Sequence, residues 1–421
     1  METKGKSTRK AIGEGVVLWV ALMAFFVLSL VLAFSIPRAW IQEHVDRSLE
    51  TLQKEGEYPT PFFHTYSYRL DNVTDELMIR VTEQPDRNEK LAALIVGDHT
   101  GELYEEGWEA SAWEKAMVGG HPRYWHGYVT VLRPLLVVTD YIGIRYLNMI
   151  AFFLLMFFSF VQVYERLGRK IACGYLLTLL MVYAFGVPMC MGFTTVFLIV
   201  FVSVFMLFQR YDAWAGQPSC FGNFFLAIGS VTAFLDLLEA PLLTLGIPLL
   251  FWCVLEGRQK RTARQVFCNA VVYSVIWGIA YGMTWAGKWG IASVFLKKNV
   301  ISIAMQSVLL RIGVSEGGSV NLLQMLMGNI GKLFASDVGS GMFKMLCLGS
   351  VLMAAWFFKE HKPWREVQKN LVLLFVSLYP FGWYLALSNH SSKHAFFTYR
   401  LLWISLLGIW CFWAESLRQR E

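Results

Sequence analysis

Apolar runs of about 17–25 residues recur along this 421-residue chain, each long enough to cross roughly 30 Å of hydrocarbon. Ten are read, at about 14–36, 146–164, 171–188, 193–209, 221–236, 240–256, 266–285, 342–358, 370–387 and 401–415. A backbone in hydrocarbon must satisfy its own hydrogen bonds, which leaves helices and closed barrels. Barrel strands are about half this length and alternate in polarity, so the runs are read as helices. A hydrophobic share of 56% against 16% charged residues argues against a soluble domain. The expected fold is an all-α integral membrane protein with about ten transmembrane helices, one polytopic domain over residues 1–421. Nothing in the sequence calls for nucleic acid.

Short basic clusters set the orientation. "METKGKSTRK" precedes the first run, "ERLGRK" follows the second, "EGRQKRTARQ" the sixth and "FKEHKPWREVQK" the eighth. With ten crossings all four fall on one side, together with the C-terminal "ESLRQRE", and the excess of Lys and Arg makes that side cytoplasmic. Both termini are then cytoplasmic, and the first run reads as an anchor rather than a removable signal. The outer side receives a large loop over 37–141, a second over 286–341, and short links near 189–192, 236–240 and 388–400. The first loop holds 18 acidic and 10 basic residues, although the whole chain carries +6. The second is apolar but interrupted by Gly, Asn and Ser, which suggests in-plane helices. The seven cysteines stand singly without CxxC spacing and read as free structural thiols.

Polar groups gather on the outer side of this scheme, which holds seven of the eight histidines. Asp71 and Asp75 are spaced i, i+4, which suits a general base or a divalent-cation site, or equally a helix cap and its first turn. His126 and Arg133 close the first loop; a cation inside "VTVLRPLLVV" needs a partner or water. Asp236 and Glu239 crowd a short link at the membrane rim, just before Pro241. Lys288 lies between Trp285 and Trp289, as a snorkelling lysine or a phosphate ligand. "SNHSSKHAFFTYRLL" places His390 and His394 one helical turn apart, with Arg400 where the last run begins. A guanidinium there can grip phosphate oxygens in a fork, or simply meet lipid headgroups. No phosphate loop, strand-linked GxGxxG, HExxH or GxSxG occurs, so ATP hydrolysis and serine-esterase chemistry are poor fits.

The segments "LDNVTDELM", "YWHGYVTVLRPLL", "FLDLLEAPLLTLGIPL", "GKW" and "NHSSKHAFFTYR" follow one another in an order that resembles bacterial multi-pass membrane proteins with the layout of GT-C type glycosyltransferases. The resemblance is one of architecture. It implies transfer of a sugar from a polyprenyl-phosphate donor to a glycan or other cell-envelope acceptor on the outer face of the cell membrane. It implies Asp71 or Asp75 as base, and cationic groups on the lipid phosphate. His126, Arg133, Asp236, Glu239, Lys288, His390, His394 and Arg400 are the substrate-binding candidates. A divalent cation is an open option and no other cofactor is implied. This chain departs from the better-known members in placing Asp71 some 35 residues beyond the first run, with only Asp46 nearer. A transporter or flippase of lipid-linked saccharides, and an accessory membrane protein without catalysis, are the alternatives; "AFGVPM" and "SLYPFGWY" are the segments that look broken in the way a transporter requires.

Overall fold

The computed structural model describes residues 2–61, 69–83, 123–259, 261–297, 299–313, 320–334, 337–359 and 364–418, and all regular structure among them is helical. His64, His99, His121 and His361 lie outside the described residues, as does 84–122 of the first loop. The chain opens with α1 (Glu2–Phe34), which stops three residues before Pro37. Helix α2 (Gln42–Glu55) buries Val45, Ser48 and Leu52 along one stripe and ends on Gly56, whose φ of 82° only glycine adopts freely. Helix α3 (Asn72–Glu83) and the short α4 (Val129–Val138) complete this first group.

The longer bundle follows. Helix α5 (Tyr141–Leu167) starts on Asp140, whose carboxylate accepts from the backbone N–H groups of Ile142 and Gly143. Then come α6 (Arg169–Met181), α7 (Met191–Trp214), α8 (Pro218–Leu235), α9 (Leu243–Arg258) and α10 (Ala263–Leu296). Helices α11 (Val300–Arg311), α12 (Leu322–Gly331), α13 (Asp337–Lys359), α14 (Trp364–Ser377) and α15 (Tyr379–Ala386) lead to the short α16 (Ser388–Lys393) and α17 (Ala395–Thr398). A 3-10 turn at Tyr399–Leu401 joins these to α18 (Leu402–Ser416).

Six helical segments among the described residues are long and apolar enough to cross a membrane: Arg9–Phe34, Tyr141–Leu167, Met191–Trp214, Pro218–Leu235, Ala263–Val294 and Ala395–Ser416. Rows of exposed apolar side chains, such as Val16, Val20 and Leu28 on α1 and Ile150, Leu154 and Phe157 on α5, give these helices the surface that a lipid solvent requires. The multi-pass, all-helical character expected from sequence is therefore present, whereas the count of ten is not reproduced at full span length. The other four runs are helical but shorter or interrupted. The run at 171–188 stops at Met181, where Tyr183 turns left-handed (φ 54°) and a 3-10 segment containing Pro188 follows. The run at 240–256 becomes the 16-residue α9 with Pro248 inside it. The run at 342–358 lies in α13, whose apolar part is Gly341–Trp356. The run at 370–387 splits at Leu378, because Pro380 cannot donate to the preceding turn and restarts the helix as α15. In the opposite sense, α10 continues to Leu296, so the segment expected as a loop from 286 begins later.

Two apolar cores result. The larger joins α5–α10 with α13, α14 and α18, and includes Trp252, Trp403, Phe197 and Phe201. The smaller joins α1–α4 to the end of α8 through Phe26, Trp125 and Phe234, with Phe26 and Phe234 stacked at 4.1 Å. Chain direction alternates between neighbouring helices. The starts of α5, α7, α9 and α18 and the end of α8 therefore share one end of the bundle, and α3 docks on it through Asp75.

Candidate functional site

The start of α7 is the anchor. Helix N-termini carry unpaired N–H groups and partial positive charge, which favour an anion. Asp75 supplies one: its Oδ2 accepts from Met191 N (2.9 Å) and the Tyr141 hydroxyl (2.6 Å), and its Oδ1 from Gly192 N (2.9 Å). The Cys190 thiol points at the same Oδ1 (3.4 Å). Burial lifts the pKa of the Asp75 carboxyl to about 6 against the opposing pull of those donors. Arg145 donates to the Tyr141 hydroxyl (3.0 Å) and pairs with Glu55, so a polar chain runs from α2 through α5 to α7.

Asp71 caps α3, accepting from Thr74 N (3.1 Å) and the Thr74 hydroxyl (2.8 Å), and its pKa is also raised by burial. Asp75 N donates to Asp71 O (3.1 Å), so the i, i+4 register expected from sequence is present. Both carboxylates hold structural bonds.

Asp236 organises the link after α8. Its carboxylate accepts from Leu238 N (2.9 Å) and Glu239 N (3.2 Å), and Leu238 takes a φ of 70°, rare for a leucine. That turn sends Glu239 back towards α7, and it is held from the other side by His390, whose Nε2 lies 3.0 Å from Leu238 O. A carbonyl only accepts, so Nε2 carries the proton and Nδ1 of neutral His390 is an acceptor. Burial lowers the pKa of His390 to about 3 and of His394 to about 4, helped by the positive charge of Arg311. The two rings, 4.8 Å apart, are therefore neutral at pH 7, and His390 in that state has no N–H left for an anion.

What remains at the centre is a pair. Glu239 is 5% exposed with no hydrogen-bond partner for Oε2; Arg400 is 3% exposed with none for Nε or Nη1. A Cβ built on Gly192 would sit 3.6 Å from Glu239 Oε1 and 3.7 Å from Asp75 Oδ1, which places both carboxylates against the first turn of α7. The Arg400 guanidinium lies over the Phe193 ring at 4.5 Å, one residue further along that turn. Burial raises the pKa of Glu239 well above the carboxylate range; Asp71, Asp236 and Asp75 add to the rise and Arg400 opposes it. A buried polar atom without a partner costs about 1–3 kcal/mol, and more when charged, so the three such atoms on these two facing side chains make the pair the candidate site.

Hydrogen bonds fix the segment carrying Arg400 to its neighbours. Thr398 donates to Asn329 Oδ1 (2.7 Å), Asn329 donates to Ser391 O (2.9 Å), Tyr384 to Thr398 O (3.0 Å) and Tyr399 to Val182 O (3.1 Å). The polar stretch 388–400, expected as a link, is thus two short, partly buried helices and a turn that present Arg400.

The other candidates lie apart. Arg133 donates to the carbonyls of Ile36, Thr82 and Glu83, stapling α1 and α3 to α4. His126 (φ 52°) has Nδ1 2.8 Å from the Tyr128 hydroxyl, and Gly127 N binds Phe234 O (2.9 Å). Lys288 is fully buried with its ammonium 5.5 Å from the Trp125 ring. Among the described residues no group of three His, Cys, Asp or Glu side chains is placed to hold a metal ion. Sequence reasoning missed Tyr141, Thr74, Cys190 and Gly192, whose roles are set by packing and carry no local motif. It also missed Arg69, which stacks on Tyr58 and Phe396 at 4.0 and 3.8 Å and whose charge reaches Asp71.

No protein-family model, curated protein or solved structure matches the chain.

Proposed function

We propose that this chain is a membrane glycosyltransferase of GT-C-like architecture, moving a sugar from a polyprenyl-phosphate donor to a cell-envelope acceptor on the outer face. The observation that carries the reading is the buried Glu239–Arg400 pair, each with polar atoms lacking a partner, at the end of the bundle where the segments 189–192, 236–240 and 388–400 meet. Arg400 takes the donor phosphate. Glu239 accepts the proton of the acceptor hydroxyl as that oxygen attacks the anomeric carbon, and the lipid phosphate leaves with the bonding electrons. The base role, first assigned to Asp71 or Asp75, passes to Glu239 because both aspartates are already engaged by donors. Asp71 then serves as the like charge that tunes Glu239.

This reading keeps ten crossings, the four shorter segments completing the count, and both termini in the cytoplasm. Single cysteines placed at Ser392 and at Gln259, both exposed, test it in a cysteine-free background. The first should react with impermeant maleimide in intact cells and the second only after permeabilisation; a cytoplasmic Ser392 would remove the pair from the outer face.

A flippase for lipid-linked saccharides is the second reading, favoured by the interruptions at Tyr183 and Leu378. Purified protein in vesicles carrying a radiolabelled polyprenyl-phosphate sugar separates the two. A transferase releases the label from lipid into an added glycan acceptor, whereas a flippase moves intact lipid between leaflets without cleavage.

A further inference from the structure

We infer that the opposite end of the bundle holds a second site, a groove for one acidic glycerophospholipid of the adjacent leaflet. Helix α18 leaves the Arg400 segment, is 15 residues or roughly 22 Å long, and lines the groove with its second half. There α6, α13 and α18 enclose a cavity of about 410 Å³ with walls from Met353, Trp356, Trp410 and Leu417. That volume falls in the range of roughly 300–1,000 Å³ usual for small-ligand pockets. Its rim carries Arg169 and Lys170, at the start of α6, and no acidic side chain among the described residues lines it. The Lys170 ammonium stands 5.7 Å from the Trp356 ring, and neither cation has an ion-pair partner among the described residues.

The wall is built rather than incidental. Trp410 donates from Nε1 to Lys170 O (2.8 Å), and its ring lies so close to α6 that a Cβ on Gly174 would fall 2.1 Å from it. Glycine at 174 is what lets the indole lie flat there. Trp356, 37% exposed, leaves the groove open at the surface. An apolar slot between membrane helices with two cations at one edge matches an acyl chain below a negative headgroup, and it favours a net-negative headgroup over a zwitterionic one, whose own cation offsets its phosphate. This inference is independent of the transfer reaction.

The test uses the full-length protein in phosphatidylcholine vesicles doped with brominated phosphatidylglycerol or, separately, brominated phosphatidylcholine. Bromine quenches nearby indoles, and subtracting the Trp356→Phe signal isolates Trp356. The groove predicts saturable quenching by the acidic lipid at a mole fraction roughly tenfold lower than for phosphatidylcholine. The Arg169→Gln/Lys170→Gln variant, shown folded by gel filtration, should lose that preference while retaining quenching by phosphatidylcholine. Equal quenching by both lipids in the unaltered protein means ordinary boundary lipid and overturns the proposal. So does absence of quenching by either, which means that protein fills the groove.

Discussion

Glu239→Gln is expected to lower sugar transfer by about 10²–10⁴-fold while the protein folds and extracts in detergent as before. Glutamine keeps the shape of the side chain and removes its ability to take a proton. Folding should survive because Oε2 has no protein partner to lose. The pH profile sharpens the expectation. A base acts in its deprotonated form, and burial together with the nearby aspartates raises the pKa of Glu239 well above 4.5. Transfer should therefore rise with pH along a limb that lies well above pH 4.5. A limb at the ordinary carboxylate position, or full activity in the Gln variant, would place the base elsewhere.

Asp75→Asn should cost about 1–3 kcal/mol of stability and lower Tm in detergent. Both carboxylate oxygens accept hydrogen bonds, from Tyr141, Met191 and Gly192; an amide nitrogen in place of either oxygen turns a donor towards a donor. The pH dependence has a definite sign. The folded pKa of about 6 stands above the unsupported value of 3.8, so between them the folded state binds a proton that the unfolded state does not. Unaltered protein thus gains stability from this group as pH falls from about 6 to 3.8, and loses that contribution as pH rises again. The asparagine variant has no such group, so its deficit should widen on acidification. A deficit that stays flat over this window would mean that Asp75 is not buried against α7.

The class was legible because apolar length is a one-dimensional property: the runs at 146–164, 193–209 and 266–285 all lie within helices able to span. Where a run contains proline or glycine at a decisive point, as at Pro188 and Pro380, hydropathy alone overestimates helix length. The site was half legible. Glu239 and Arg400 stood out as charges at a membrane rim, and both belong to the central pair. Asp71 and Asp75 have the spacing of a functional pair, but whether an aspartate is spent on a cap or left open is decided by what docks on it. That partner, the start of α7, is more than 100 residues away in sequence. The same holds for Arg133, a costly cation by sequence, whose needs are met by three carbonyls from two other segments.

The central claim is that Arg400 is a dedicated phosphate ligand, and Arg400→Lys tests it most directly. Lysine keeps the positive charge and loses the planar fork that places two N–H groups on one anion. Equilibrium binding of a polyprenyl-phosphate sugar to purified protein, measured for both forms in the same detergent, should show affinity at least about tenfold weaker for the lysine variant. Unchanged affinity would contradict the account.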